Sequence, residues 1–493
     1  MHMNSLCNSI FFFVILCALT VLSPLSAQQS IDQKIALIMK DSLLRGASTG
    51  MFVADVKTGK KVAAYDEDRM LIPASTFKIL TTAAALEHLG PEFKFKTELI
   101  IQGEIEDGIL KGNVVLKGYG DPSLGSKAFK EIPGMIELQN QWIGALKSKG
   151  IRKIEGNVIV DGSYYSLPPE QPTWSWMDLG NYYASGAWGF NINDNLYEVS
   201  FKQSSILQDI PPIIKIEPAV PDLLLVNEII TAGAGTGDNA YFYGGPFQGK
   251  RFIRGTIPAG KGVFTIKGSL PDPEKFMAFN FHKVISENGI IISGLPLTHR
   301  DLSAESLNAN FKAVLVTVES PPLFRLVEVA NKESNNLICE ALLKQLAIRL
   351  KGGKYLYQGP DVIREWLKKL GVSEKNFFIE DGSGLSSKNA VSAKAMTELM
   401  SVLRKKSYFG YLEKSLAQAG KEGTLRSTFL SLPPKANVIA KSGSLGRVRC
   451  YTGYLKTQTG RELSFTVMFN QFSCSSGEAR KKIEAIVYEL ALL

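Results

Sequence analysis

Pro73-Ala74-Ser75-Thr76-Phe77-Lys78, running on through Ile79-Leu80-Thr81-Thr82-Ala83-Ala84-Ala85-Leu86-Glu87-His88-Leu89 to Gly90-Pro91, decides how this chain folds. The run from Thr76 to Leu89 predicts a helix, and Gly90-Pro91 stops it. A serine and a lysine three positions apart on a helix share one face, so the Lys78 amine can reach the Ser75 hydroxyl. No other Ser-x-x-Lys occurs in the 493 residues. A hydroxyl is a poor nucleophile until a neighbouring base takes its proton, and an uncharged lysine amine can be that base. The plain alternative is a helix cap followed by a surface lysine. The rest of the chain separates the two.

Upstream, Ile31–Arg45 has the pattern of an amphipathic helix. Thr49–Asp55 and Lys61–Tyr65 alternate as two strands around Lys57-Thr58-Gly59-Lys60. From about Phe93 to Asn310 the texture changes to short strands punctuated by Gly, Asp and Asn, interrupted by a helix around Lys130–Lys149. Helical periodicity returns in Leu323–Asn331, Asn335–Leu350, Pro360–Leu370, Ala393–Lys405 and Phe409–Gln418. Three β-runs, Val438–Gly443, Val448–Lys456 and Leu463–Asn470, and a helix over Gly477–Leu492 end the chain. Strands from the two ends can share one antiparallel sheet. The expected fold class is thus multi-domain α/β: a discontinuous domain of residues 28–92 and 313–493, split by β-rich inserted domains over 93–312. Gly233-Ala234-Gly235-Thr236-Gly237 resembles a dinucleotide loop only superficially, because no helix follows it, and a hairpin loop is expected there.

Hydrophobic residues at 45% and charged ones at 21% describe an ordinary globular protein. Residues 1–30 contain no Lys, Arg, Asp or Glu, and their apolar stretch, Ile10–Leu22, is too short to span a bilayer comfortably. A secretion signal cleaved after Ala27 is expected, placing the protein outside the cytoplasm, in the periplasm, with an uncleaved membrane anchor as the alternative. Cys339, Cys450 and Cys474 then remain; three thiols cannot all pair, and their spacing supports neither a disulfide framework nor a zinc site. One bridge among them is compatible with an oxidising compartment. The net charge of +9 is spread along the chain. With no nucleic-acid motif, it points to anionic envelope polymers or peripheral contact with lipid headgroups.

Two further motifs complete the Ser-x-x-Lys. Ser334-Asn335-Asn336 opens the helix Asn335–Leu350, and Lys441-Ser442-Gly443-Ser444 lies on the first late β-run. Ser-x-Asn also occurs at Ser286, Ser306 and Ser387, and Lys-Thr-Gly at Lys57. Ser334 is preferred because a helix follows it directly; the Lys57 copy precedes the nucleophile and reads as a turn. Order, spacing and context together resemble the active-serine penicillin-binding proteins and β-lactamases. Pro73–Lys78, Gly120-Asp-Pro-Ser-Leu124, Asn331–Leu337, Asp381-Gly-Ser-Gly-Leu385, Gly423-Thr-Leu425 and Lys441–Leu445 with Gly453-Tyr454 are similar to one branch. That branch is the D-alanyl-D-alanine carboxypeptidase/endopeptidase family, the low-molecular-mass penicillin-binding proteins of class C. Ser442 stands where that family more often has threonine.

The resemblance implies a peptidoglycan hydrolase with no metal or cofactor, acting on stem peptides and acylated by β-lactams. It implies that Ser75 attacks a D-Ala-D-Ala carbonyl with Lys78 as base. For that, the amine must fall from ~10.4 to ~7, about 4–5 kcal/mol of destabilised ammonium, through burial and the second cation, Lys441. Asn336 fixes Lys78 and the substrate amide, and Ser334 relays a proton to the leaving amine. Lys441 and Ser442 bind the terminal carboxylate, and Gly443 lets the peptide lie against the strand. The N–H groups of Ser75 and Ser444 form the oxyanion hole. Asp178, in Trp174-Ser-Trp-Met-Asp178, suits the side-chain amine of a diaminopimelate residue, or else is a structural turn residue. Trp174, Trp176, Tyr182, Tyr183 and Trp188 are expected to serve domain packing more than ligand binding.

Rival functions find less support. Four scattered histidines make no His-Glu-x-x-His, and His88 lies more than three turns along the Ser75 helix. A β-lactamase of class A would carry Glu-x-x-x-Asn between Ser334 and Lys441, and none occurs. A non-catalytic penicillin-binding sensor or scaffold would not need all five motif side chains.

Overall fold

A computed structural model describes residues 30–303, 311–353 and 358–493; the segment read as a secretion signal lies outside the described residues. Ser30 caps helix α1 (Ile31–Met39) in a reciprocal capping box with Gln33. The helix is shorter than Ile31–Arg45 because Asp41 starts a separate 3₁₀ turn, Ser42–Leu44. Strands β1 (Ser48–Asp55) and β2 (Lys61–Tyr65) form the expected hairpin, and Asp55 closes its turn by accepting from the Thr58 amide and hydroxyl. A 3₁₀ turn, Ala74–Phe77, leads into α2 (Lys78–His88). Residues Lys78 to Leu86 of α2 are all buried. Hence its small side chains and its hydroxyls: Thr82 bonds back to the Lys78 carbonyl at 2.8 Å and accepts from Asn331 Nδ2 at 3.2 Å.

Beyond α2, β3 (Lys96–Glu106) and β4 (Ile109–Gly118) pair antiparallel, and α3 (Met135–Ser148) follows. Strand β5 (Val158–Asp161) adds parallel to β4. Helix α4 (Pro273–Glu287) stands where the texture suggested only strands. Its start was legible: Asp272 accepts from the Lys275 amide at 3.0 Å and Pro273 occupies the first turn. Strand β6 (Phe311–Glu319) closes the far side of β3. Trp142 of α3 meets Phe281 of α4 edge to face, ring centres 5.4 Å apart, inside a core whose buried members run from Leu99 to Val318. Two three-stranded sheets extend this region. Gly233–Gly237 is not a hairpin loop: the strands it joins, Leu224–Ala232 and Asn239–Tyr243, lie on opposite sides of Lys250–Pro258.

The chain then returns through α5 (Asn336–Lys351), α6 (Ala393–Leu403), β7 (Asn437–Leu445), β8 (Val448–Lys456), β9 (Glu462–Asn470) and α7 (Ser476–Ala491). The sheet order is Ala417–Gln418, β7, β8, β9, β1, β2, antiparallel throughout, so the first hairpin completes a sheet built from the last strands. Alternation along β1 serves both faces: Phe52 and Ala54 join the core with α2, α5 and α6, while Met51 and Val53 join that with α1 and α7. The protein is a multi-domain α/β fold. The short strand Ala417–Gln418 reaches only to Ala440, and among the described residues no strand covers the outer edge of β7 beyond it. Phe281→Ala is expected to remove about 3–5 kcal/mol of stability in urea denaturation.

Candidate active site

At that uncovered edge lies the 3₁₀ turn carrying Ser75. A Cβ at Gly443 would sit 2.5 Å from the Pro73 carbonyl oxygen and 3.1 Å from the Ser75 nitrogen, so only glycine lets β7 approach so closely. Ser75 makes no capping bond in its turn and is half-buried at the head of α2. Lys78 Nζ lies 2.9 Å from Ser75 Oγ, 2.5 Å from Asn336 Oδ1 and 2.7 Å from the Ser383 carbonyl. Three acceptors satisfy an ammonium. A neutral amine keeps two N–H bonds for Asn336 and Ser383 and turns its lone pair to the Ser75 hydroxyl.

The cap of α5 is Asn335, whose Oδ1 accepts from the Ile338 amide at 3.0 Å. Ser334 and Asn336 on either side are therefore free of capping and face the cleft. Asn336 Nδ2 donates to the Tyr183 carbonyl at 2.7 Å, fixing Oδ1 toward Lys78. Ser334 adopts φ +60°, and Ala74 beside the nucleophile φ +47°, conformations uncommon for residues with a Cβ. Lys441 is fully buried and donates to Ser334 Oγ at 3.0 Å and to the Ser442 carbonyl at 2.8 Å. Ser442 Oγ donates to Thr424 at 2.8 Å. The Ser75, Ser334 and Lys441 segments thus meet within side-chain reach.

Burial pushes Lys78 below the usual lysine range, an effect the acidic groups Cys339, Asp381 and Glu340 oppose. Lys441 is pushed well below that range, by burial first and by Lys78 second. Two ammonium groups this close cannot both be favoured at neutral pH. Asp381 and Glu340 oppose the shift at Lys78, and Glu333 opposes it at Lys441.

Ser75, Ser334, Asn336 and Ser444 line a cleft of about 630 Å³ with Asp178, Tyr182, Tyr183 and Tyr241. Asp178 closes turns with Ser175 and Asn181 through its backbone, and its carboxylate accepts from Tyr183 Oη at 2.7 Å on the lining of the cleft. Trp174 and Trp188 are packed inside, but Trp176 and Tyr182 are 56% and 54% exposed, so the aromatic segment is only partly core. Cys339, Cys450 and Cys474 are free thiols, with no bridge among them. No group of three or more metal-ligating side chains occurs among the described residues.

The model of the D-Ala-D-Ala carboxypeptidase 3 (S13) family matches residues 31–491. The chain belongs to that family. As an S13 member it is a serine hydrolase of the D-Ala-D-Ala carboxypeptidase type. It is 25% identical over 454 residues to the D-alanyl-D-alanine carboxypeptidase DacB of Haemophilus influenzae, covering 91% of each chain. It is 26% identical over 468 residues to the D-alanyl-D-alanine carboxypeptidase of Actinomadura sp. (strain R39), covering 90% of this chain and 81% of that one. The crystal structure of penicillin binding protein 4 from Haemophilus influenzae shares its fold, with a TM-score of 0.78 at 24% identity over 92% of this chain and 98% of that one. The complex of that protein with a β-lactam gives a TM-score of 0.73 at 22% identity, over 93% and 98%.

Several contacts of the S13 site were not singled out from sequence: the carbonyls of Ser383 and Tyr183, the Thr424 hydroxyl, and the buried carboxyls of Glu340 and Asp381. Main-chain acceptors carry no residue-type signal. Asp381-Gly-Ser-Gly and Gly423-Thr were visible as motifs, though not as partners of Lys78 and Ser442. The depressed Lys78 has a consequence for stability. Its unfolded form holds a proton that the folded form releases at lower pH, so stability rises with pH from the folded value toward 10.5. In urea denaturation as pH rises toward 10.5, Lys78→Met is expected to show a shallower rise than the wild type, the part due to Lys441 persisting.

Proposed function

We propose that the protein trims terminal D-alanine from peptidoglycan stem peptides through an acyl-enzyme on Ser75, and cleaves D-Ala-to-diaminopimelate cross-links with the same groups. The observation that carries this is the Lys78 amine bonded at once to Ser75 Oγ and Asn336 Oδ1. Lys78 takes the Ser75 proton as Oγ attacks the carbonyl of the penultimate D-alanine. The amides of Ser75 and Ser444 hold the oxyanion, each such donor contributing about 3–4 kcal/mol to the barrier. The C–N bond breaks, Ser334 passes a proton to the departing amine, and water then hydrolyses the ester. A β-lactam follows the same attack but keeps its leaving nitrogen tethered, so the ester persists.

The two neighbouring lysines give these events an order. A substrate carboxylate on Lys441 and Ser442 supplies a further counter-charge and favours the Lys441 ammonium. That cation beside Lys78 then drives Lys78 to the neutral form. Substrate arrival would thus prepare the base. Such a substrate resides in the cell envelope, so export, with Met1–Ala27 as the secretion signal, belongs to this proposal.

Purified protein is incubated with a D-Ala-D-Ala-terminated muropeptide and with a fluorescent penicillin. Release of D-alanine and a long-lived label are expected, both lost in Ser75→Ala. Rapid clearance of the label would instead identify a β-lactamase, and a stable label without peptide cleavage a sensor. Lys78→Arg, which cannot lose its proton, is expected to lower D-alanine release by roughly 10²–10⁴-fold. Asp178→Ala is expected to impair diaminopimelate-containing substrates more than a plain acylated D-Ala-D-Ala; equal losses would remove Asp178 from substrate recognition.

A further inference from the structure

Two of the three acceptors around Lys78 are themselves held from the inserted region. Asn336 is fixed by the Tyr183 carbonyl at 2.7 Å. Ser383, whose carbonyl receives Lys78, donates its own amide to Glu340 Oε1 at 2.8 Å, alongside the Gly382 amide at 3.0 Å. The other oxygen of Glu340 accepts from Gln171 Nε2 at 3.0 Å. Next to it, Asp381 accepts from the Gly384 and Ser386 amides, at 2.7 and 2.6 Å, and from Trp174 Nε1 at 2.9 Å. Glu340 and Asp381 are both buried. One turn beyond Glu340, the Lys344 ammonium sits among the carbonyls of Pro168, Pro169 and Ala187, at 3.4, 3.3 and 2.7 Å, and draws the two ends of the segment together.

Resting on the roles given above to Ser75 and Lys78, we propose that the inserted segment 168–188 positions the catalytic amine, with Glu340 as the positioning residue that transmits its hold to the Ser383 carbonyl. A neutral Lys78 has only two N–H bonds with which to aim its lone pair. If either Asn336 Oδ1 or the Ser383 carbonyl drifts, the amine rotates and the lone pair leaves the Ser75 hydroxyl. A misplacement of about 1 Å in such a group can cost on the order of 10²-fold in rate. Glu340 touches neither the substrate cleft nor Ser75 and acts wholly through this loop.

The test is single-turnover acylation by a fluorescent penicillin over a range of concentrations, giving a limiting rate and a half-saturation. Failure of the wild type to label at Ser75 would defeat the proposed function itself. With labelling established, Glu340→Ala is expected to lower the limiting rate at least ~10-fold and leave half-saturation within ~3-fold. Glu340→Gln, which keeps an acceptor for both amides and a partner for Gln171 once that side-chain amide turns over to accept, should stay within ~3-fold of wild type, and Gln171→Ala should lose ~3–10-fold in limiting rate. Unchanged limiting rates in protein of lowered thermal midpoint would make the contacts merely structural and overturn the inference. So would a loss confined to half-saturation, or Glu340→Gln as damaged as Glu340→Ala. Should Glu340→Ala fail to fold, Gln171→Ala and Trp174→Phe decide the matter on the same criteria.

Discussion

Two lysine amines buried side by side, with no carboxylate among the described residues in direct contact with either, are the constraint around which the molecule is arranged. Removing an ammonium from water is costly, and two such groups repel. Hydroxyls, an amide and main-chain carbonyls surround them instead of counter-ions. These partners satisfy N–H groups without locking either proton in place, as a strong salt bridge would. The arrangement is thermodynamically poor and chemically useful for the same reason.

Such a site survives only because rigid elements over-determine it. Lys78 is fixed by a helix buried through Leu86, Ser75 by the turn that leads into it, Asn336 by the first turn of a capped helix, and Lys441 by a strand at the open edge of the sheet. Gly443 brings the strand against the nucleophile's turn, and residues with positive φ at Ala74 and Ser334 show the backbone held in uncommon conformations on both sides. The surrounding cores, not local propensity, keep those conformations in place.

The elements that were legible in the sequence are those whose signals are local and periodic. The alternation of Thr49–Asp55, the apolar run after Lys78 and the three late β-runs all appear within a few residues of their expected limits. Helix α4 was missed although Asp272-Pro273 announced it, because turn residues around it favoured a β texture. Gly233–Gly237 misled because a loop's composition does not reveal which strands it will pair. At the site, side chains with characteristic chemistry were readable, while Ser383 and Tyr183 contribute only carbonyls that any residue could supply. The depressed titration of the two lysines was unreadable for another reason: it depends on how deeply the fold buries them and on carboxyls distant in sequence, Glu340 and Asp381 near Lys78 and Glu333 near Lys441.

The strand Ala417–Gln418 ends opposite Ala440 and leaves only Lys441–Leu445 free along that side of β7. On the function proposed above, a peptide added along the free stretch meets the short strand at one end, so the edge would act as a ruler with a stop and seat a main chain that terminates there. Both bonds attributed to this site meet that condition, since terminal D-alanine and the D-centre of diaminopimelate each carry a free carboxyl beside the scissile nitrogen.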